Sequence, residues 1–195
     1  MSKIYFASDF HLGIPSWLKA IDREQLIINW LDLILRDSEA EAVYLVGDIF
    51  DFWFEYSTVV PKGYVRFLGK LAQLTDKGIQ LHIFTGNHDV WMFDYFEKAL
   101  NAKVHRDPIQ IQIDNQLFFI GHGDGLGPGD YSYKFIKKIF RNPFCQWLFR
   151  WLHPDIGTRL ASFFSHSSRA AQKGPKPFLG KNKEWLLLYS NKKLL

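Results

Sequence analysis

Four short clusters in this 195-residue chain carry residue types that hold metals and move protons: Asp9-x-His11, Gly47-Asp48-x-x-Asp51, Gly86-Asn87-His88-Asp89 and Gly121-His122-Gly123-Asp124. Carboxylates, an amide and imidazoles make a mixed oxygen and nitrogen donor set, which suits Mn²⁺, Fe, Zn²⁺ or Mg²⁺ rather than a thiolate site. Buried Asp and His at strand ends are costly to desolvate unless they are paired, and a divalent cation pairs several at once. Two such ions roughly 3.5–4 Å apart, bridged by a carboxylate, form the usual clamp for in-line displacement at phosphorus. One ion activates a shared water, and both neutralise charge on the phosphoryl oxygens. Taken singly, each cluster has an ordinary alternative. Asp9-x-His11 is a weak pair, Gly47-Asp48 fits an Asx turn, Asn87-His88-Asp89 fits a helix N-cap, and His122 fits a hydrogen-bonded loop histidine. Four clusters in succession, each closing an apolar run, point instead to one metal-dependent site.

The elements that must position them follow from periodicity. Lys3 to Ser8, Ala42 to Val46 and Gln80 to Phe84 are short, β-prone apolar runs and read as buried strands. Between them, Ser16 to Arg36 carries a helical stripe (Leu18, Ile21, Ile27, Ile28, Leu31, then Ile34 or Leu35), and Pro61 to Lys77 reads as a second helix stopped by Gly78. Alternating strands and helices predict an α/β layered fold with neighbouring parallel strands, whose carboxyl ends are where ligands bind. The pattern then changes. Ile109 to Ile113 alternates cleanly, Asp114-Asn115 turns, and Leu117 to Ile120 returns as a hairpin that delivers His122. From Asp130 only short helices are expected: one ending near Arg141, one starting at Pro143 behind an Asn142 cap, one striped by Ile156, Leu160, Phe163 and Phe164, and one around Lys183 to Tyr189. Lys173 to Pro177 reads as a loop.

Composition narrows the setting. Apolar residues at 47% and charged residues at 23% are those of a globular chain. The single Cys145 excludes an internal disulfide framework and fits a reducing compartment. The opening MSKIYFASDFHLG lacks the character of a signal peptide, and no run reaches the length of a spanning helix. The net charge of +4 hides a split: residues 1–125 hold 11 Lys and Arg against 17 Asp and Glu, and residues 126–195 hold 13 against 3. The acidic part carries the donor clusters. The basic part, with aromatics at helical spacing, is either a solvated helical face or a surface for a polyanion or an anionic membrane.

In this order, the four clusters resemble the successive signatures of the calcineurin-like metallophosphoesterases. The resemblance implies an α/β (α+β), four-layer αββα sandwich with a two-metal site at the strand ends. It implies that Asp9 and His11 bind the first metal, that Asp48 bridges, and that Asn87 and His122 bind the second. His88 would sit beside the scissile phosphate as proton donor or charge stabiliser, oriented by Asp51. Manganese is the expected metal, with Mg, Zn or Fe as alternatives.

A narrower resemblance rests on Asp48-Ile49-Phe50-Asp51-Phe52-Trp53, on His122-Gly123-Asp124-Gly125-Leu126 followed by Asp130, Tyr131 and Arg141-Asn142-Pro143, on Arg159-Leu160-Ala161 and on Ser168-Arg169 to Lys173. These are similar to the UDP-2,3-diacylglucosamine diphosphatases, which cleave the pyrophosphate of a UDP-linked acylated glucosamine to UMP and lipid X in lipid A synthesis. That subfamily often carries Arg where His88 stands here. It implies residues 1–125 as an incomplete catalytic core and 126–195 as a helical lid and the start of the return to the core, with Asp124, Lys134, Arg141, Arg159, Arg169 and Lys173 holding substrate. The place implied is cytoplasmic, peripheral to the inner membrane. The family closes its site with Gly-His-x-His, and the only histidines after His122 are His153 and His166. The expectation is therefore a chain cut short, each metal lacking one histidine and the sandwich its last strands. Two other readings stay open: a phosphoesterase acting on a nucleotide or other soluble phosphate compound, and a non-catalytic remnant that binds anionic membrane. Nucleic-acid binding is not expected, because the aromatics lie at helical spacing rather than on a strand platform.

Overall fold

A computed structural model describes residues 2–13, 20–126, 131–160, 180 and 183–194. Arg169, Lys173, the loop 173–177 and the Phe163 and Phe164 part of the third helical stripe lie outside the described residues. The chain divides into two compact units, Met1–Arg106 and Asp107–Leu195.

In the first unit, β1 (Lys3–Ala7), β2 (Ala40–Val46), β3 (Gln80–Phe84) and β4 (Lys103–His105) form one parallel sheet in the order β1-β2-β3-β4. Helices α1 (Ala20–Arg36), α2 (Val65–Asp76) and α3 (Tyr95–Leu100) connect them. Alternate strand residues share a face. Val43, Leu45, Leu81 and Ile83 bury one face in the core with Ile27, Leu31 and Ile34 of α1, Phe67, Leu71 and Leu74 of α2 and Phe96 of α3. Of the α1 stripe, Ile27, Ile28, Leu31 and Ile34 go inside, and Leu18 lies outside the described residues. The strands and both long helices lie where periodicity puts them, apart from shifts at the ends. α3 and β4 fall in a stretch the pattern leaves unassigned. Six residues of helix and three of strand are too short to show a period.

The opposite face of this sheet carries rings. Tyr44 stacks on Phe6 at 5.0 Å and on His82 at 4.2 Å, and Phe84 stacks on His105 at 4.6 Å. His82 Nδ1 lies 2.9 Å from His105 Nε2, a bond in which one imidazole must accept and so stay neutral. Burial, helped by His105 and the Lys103 ammonium, pushes His82 down from 6.5 to about 4, and burial lowers His105 as well. The unfolded chain therefore takes up a proton at this position below about pH 6.5 while folded His82 does not, so the contribution of His82 to stability is lost as pH falls through that window. From His82 alone the loss is about 2 kcal/mol between pH 7 and 5. Urea unfolding of a His82→Phe variant, which keeps a ring on Tyr44, is expected to show a shallower pH dependence than the parent. An unchanged slope would sink this account.

In the second unit, β5 (Ile109–Ile113) and β6 (Gln116–Ile120) form an antiparallel hairpin. Its turn residues Asp114 and Asn115 both have positive φ (45° and 63°), the requirement of the two-residue turn that matches strand twist. Helices α4 (Tyr131–Phe140) and α5 (Pro143–Arg150) meet at Asn142, whose side chain accepts from Phe144 N and Cys145 N at 2.9 and 3.2 Å, the cap expected from the Asn-Pro pair. A helical stretch α6 covers 154–160, and α7 (Trp185–Leu194) lies on β6, with Tyr189 edge-on to Phe119.

Candidate metal centre

The loops after β1 and β2 are joined by backbone. Asp9 N donates to Gly47 O (3.1 Å), His11 N to Asp48 O (2.9 Å), Leu12 N to Ile49 O (2.9 Å) and Asp51 N to Leu12 O (2.9 Å). Three of the polar residues in these loops are held in the left-handed region, Asp9 at φ 58°, His11 at 45° and Asp48 at 51°. A non-glycine residue adopts that conformation at a cost, and it persists where the surrounding structure over-determines it. Arg23 of α1 fixes the first loop from below, donating to His11 O at 3.2 Å.

These constraints gather side chains. Asp48 is 3% exposed, and its Oδ1 accepts from His88 N at 3.0 Å. His11 Nε2 lies 3.8 Å from Asp48 Oδ2 and 3.9 Å from Asp9 Oδ1. The His11 and His88 rings sit edge to face at 5.0 Å. One donor atom each from His11, Asp48 and His88 falls within 4.8 Å of the others. His88 Nδ1 is 3.2 Å from Asp51 O and 3.5 Å from Asp51 Oδ1. The partner proposed from the sequence to orient His88 is thus beside it. Asn87, half-buried, occupies the loop position between Gly86 and His88.

Two anchors of this arrangement were not assigned from the sequence. Asp89 is fully buried and ties the β2 and β3 loops together: Oδ1 accepts from Gly86 N (2.7 Å), and Oδ2 from Ile49 N (2.7 Å) and Phe50 N (3.3 Å). Burial and the Asp48 carboxylate push its carboxyl up to about 6, against the pull of those N–H groups. Glu55, 3% exposed, accepts from three successive amides, Phe93, Asp94 and Tyr95 N (2.6, 2.7 and 3.1 Å), and from Trp53 Nε1 (3.2 Å). It thereby fixes the stretch after His88. The signal for Asp89 was its place in the third cluster. Glu55 offered only a carboxylate in an aromatic run.

A buried carboxylate flanked by two imidazoles and a second buried carboxylate, on loops held in strained conformations, fits a cation site by its donor chemistry. The sequence profile of the calcineurin-like phosphoesterases matches residues 2–177. The chain belongs to that family.

Among curated relatives of this phosphoesterase chain, a UDP-2,3-diacylglucosamine hydrolase of Porphyromonas gingivalis is 44% identical over 169 residues, 86% of this chain and 64% of that protein. Proteins of the same name from Pseudomonas fluorescens and Pseudomonas savastanoi are each 31% identical over 86% of the chain and 64% of their own length. The chain thus spans a little under two thirds of these relatives. A solved structure of a protein of unknown function from Aquifex aeolicus aligns with a TM-score of 0.37 at 17% identity, covering 70% of this chain and 71% of that one. Membership of the family implies divalent metal ions, and His11 and Asp48 are placed to serve as donors.

The remaining candidates belong to the second unit. His122 is half-buried on the loop after β6. Asp124 accepts from Lys137 Nζ at 2.6 Å and from the Tyr133 hydroxyl. Lys134 lies over the Tyr131 ring at 5.9 Å, Arg141 pairs with Asp107 at 3.1 Å, and Arg159 is exposed on α6. Among the described residues no helix is long and apolar enough to cross a membrane.

Proposed function

We propose that this chain is the catalytic part of a metal-dependent hydrolase that cleaves the pyrophosphate of UDP-2,3-diacylglucosamine to UMP and the acylated sugar phosphate, working at an anionic membrane surface. The observation that carries the reading is the buried Asp48 carboxylate packed among His11, His88 and Asp51 at the ends of parallel strands. The names of the relatives supply the substrate class. Asp9, His11 and Asp48 would hold one divalent ion and Asp48, Asn87 and His122 a second, manganese foremost. Bound there, the ions supply an activated water and neutralise phosphoryl charge. His88, tethered through its backbone to Asp48 and through its ring to Asp51, stands ready to stabilise charge or pass a proton at the leaving oxygen.

The membrane part of the reading rests on the second unit. Residues 131–154 contain five Lys and Arg and no Asp or Glu. On α5 and just beyond it, Phe144, Trp147 and Trp151 recur at helical spacing and are 65%, 53% and 76% exposed. Exposed aromatics with surrounding cations are the composition of an interfacial surface. Release of UMP from the acylated substrate in mixed micelles, with Mn²⁺ and after EDTA, tests the proposal against bis-p-nitrophenyl phosphate as soluble control. Mn²⁺-dependent UMP release is expected. Hydrolysis of the soluble ester alone would overturn the substrate, and hydrolysis of neither would overturn the enzyme.

A further inference from the structure

Asp124 stands two residues after His122, in the described run Gly121-His122-Gly123-Asp124-Gly125-Leu126 that follows β6. Its carboxylate does not stand open for a ligand. Lys137 Nζ donates to Asp124 Oδ2 at 2.6 Å and to Asp124 O at 2.9 Å, and the Tyr133 hydroxyl donates to the same Oδ2. Tyr133 and Lys137 are four residues apart on α4, so one helix face delivers both. The ion pair is mostly shielded, with side chains 23% and 16% exposed, so solvent screens it less than a surface pair. The loop is shaped for this contact. Gly125 has φ +67°, and a Cβ there would stand 3.0 Å from the Tyr133 ring and 3.7 Å from the Lys137 stem.

We propose that Asp124, Lys137 and Tyr133 form a latch that fixes helix α4 to the loop carrying His122, which makes Asp124 a positioning residue and not a substrate contact. The latch links two parts that the proposed function uses together: the loop that presents His122 and the cationic, aromatic helix that follows. Its consequence for catalysis rests on that reading; its existence does not. Opening the latch would free α4 to swing while leaving the first unit untouched.

Amide hydrogen exchange over 131–140 tests it in the unmodified chain and in Asp124→Asn, Lys137→Met, Lys137→Arg and the Asp124→Asn/Lys137→Met double variant. Met matches Lys in helix propensity, so α4 itself is not weakened. Each of Asp124→Asn and Lys137→Met is expected to speed α4 exchange roughly five- to tenfold, with β1 to β3 unchanged. The double variant should exchange no faster than either single one, since both break the same contact. Lys137→Arg should restore most of the protection. Where hydrolysis is measurable, Lys137→Met should raise KM for the micellar substrate at least about fivefold with kcat within about twofold. Faster α4 exchange in a chain that hydrolyses nothing would keep the latch and lose the proposed function. Unchanged exchange in both single variants, or additive effects in the double, would overturn the latch. A KM increase in Asp124→Asn with α4 exchange unchanged would overturn it too, and would return Asp124 to the substrate.

Discussion

Asp48→Asn is expected to abolish metal-dependent hydrolysis, by on the order of 10³-fold or more, and yet to make the metal-free protein more stable. Both halves follow from one arrangement. Asp48 is 3% exposed and lies beside Asp89, which is fully buried and whose carboxyl is raised first by that burial and then by the Asp48 charge. Two carboxylates buried together repel and are poorly solvated, so without a cation the fold carries their cost. Asn keeps the size of the side chain and an oxygen to accept from His88 N, now 3.0 Å from Oδ1, while removing one charge. About 1 kcal/mol of relief would raise the melting temperature in EDTA by roughly 2–4 °C. In the parent chain, added Mn²⁺ should raise the melting temperature by mass action, and in the variant that increase should largely vanish. Metal analysis after dialysis gives the second reading, with loss of both ions expected if Asp48 bridges. A variant that binds Mn²⁺ as the parent does, or that is destabilised in EDTA, would refute the bridging role.

How much of this was legible in the sequence depended on length and repetition. β1, β2 and β3 declare themselves as β-prone runs, and α1 by a stripe whose Ile27, Leu31 and Ile34 are core residues. The donor clusters were legible because each follows such a run, and the strand ends set their place. What stayed hidden was whatever lacks a period or acts through backbone. The cross-loop bonds from Asp9, His11 and Leu12, the left-handed conformations of Asp9, His11 and Asp48, and the triple amide capture by Glu55 leave no mark in residue spacing. Asp124 shows the same limit from the other side. Its type and position suit a ligand contact, and only its distance to Lys137 shows that the charge is already engaged.

The same dependence on backbone makes Gly86→Ala the most damaging small substitution expected in the first unit. A Cβ at Gly86 would stand 2.1 Å from Asp48 Oδ1 and 2.4 Å from Asp48 N. The first could be relieved by rotating the carboxylate, which would itself pull Oδ1 away from His88 N. The second cannot, because Asp48 N belongs to a backbone already held at φ 51° and bonded on through Asp48 O to His11 N. Gly86 N is also committed to Asp89 Oδ1 at 2.7 Å, so the glycine cannot retreat without breaking the tie between the β2 and β3 loops. Overpacking that forces backbone apart costs about 1–3 kcal/mol, and opening the buried Asp89 hydrogen bonds adds to it. A loss of about 3–4 kcal/mol is expected in urea unfolding, with Mn²⁺ binding weakened even where the variant still folds. Gly69→Ala provides the contrast. Gly69 lies in the interior of α2 with nothing within 4 Å of the added methyl, so the variant should gain about 0.5–1 kcal/mol from helix propensity. If the two substitutions shift the urea midpoint alike, the close approach of Gly86 to Asp48 does not hold the site together. If only Gly86→Ala falls, and metal affinity falls with it, the packing of the β3 loop against Asp48 is what keeps His11, Asp48 and His88 within reach of one ion.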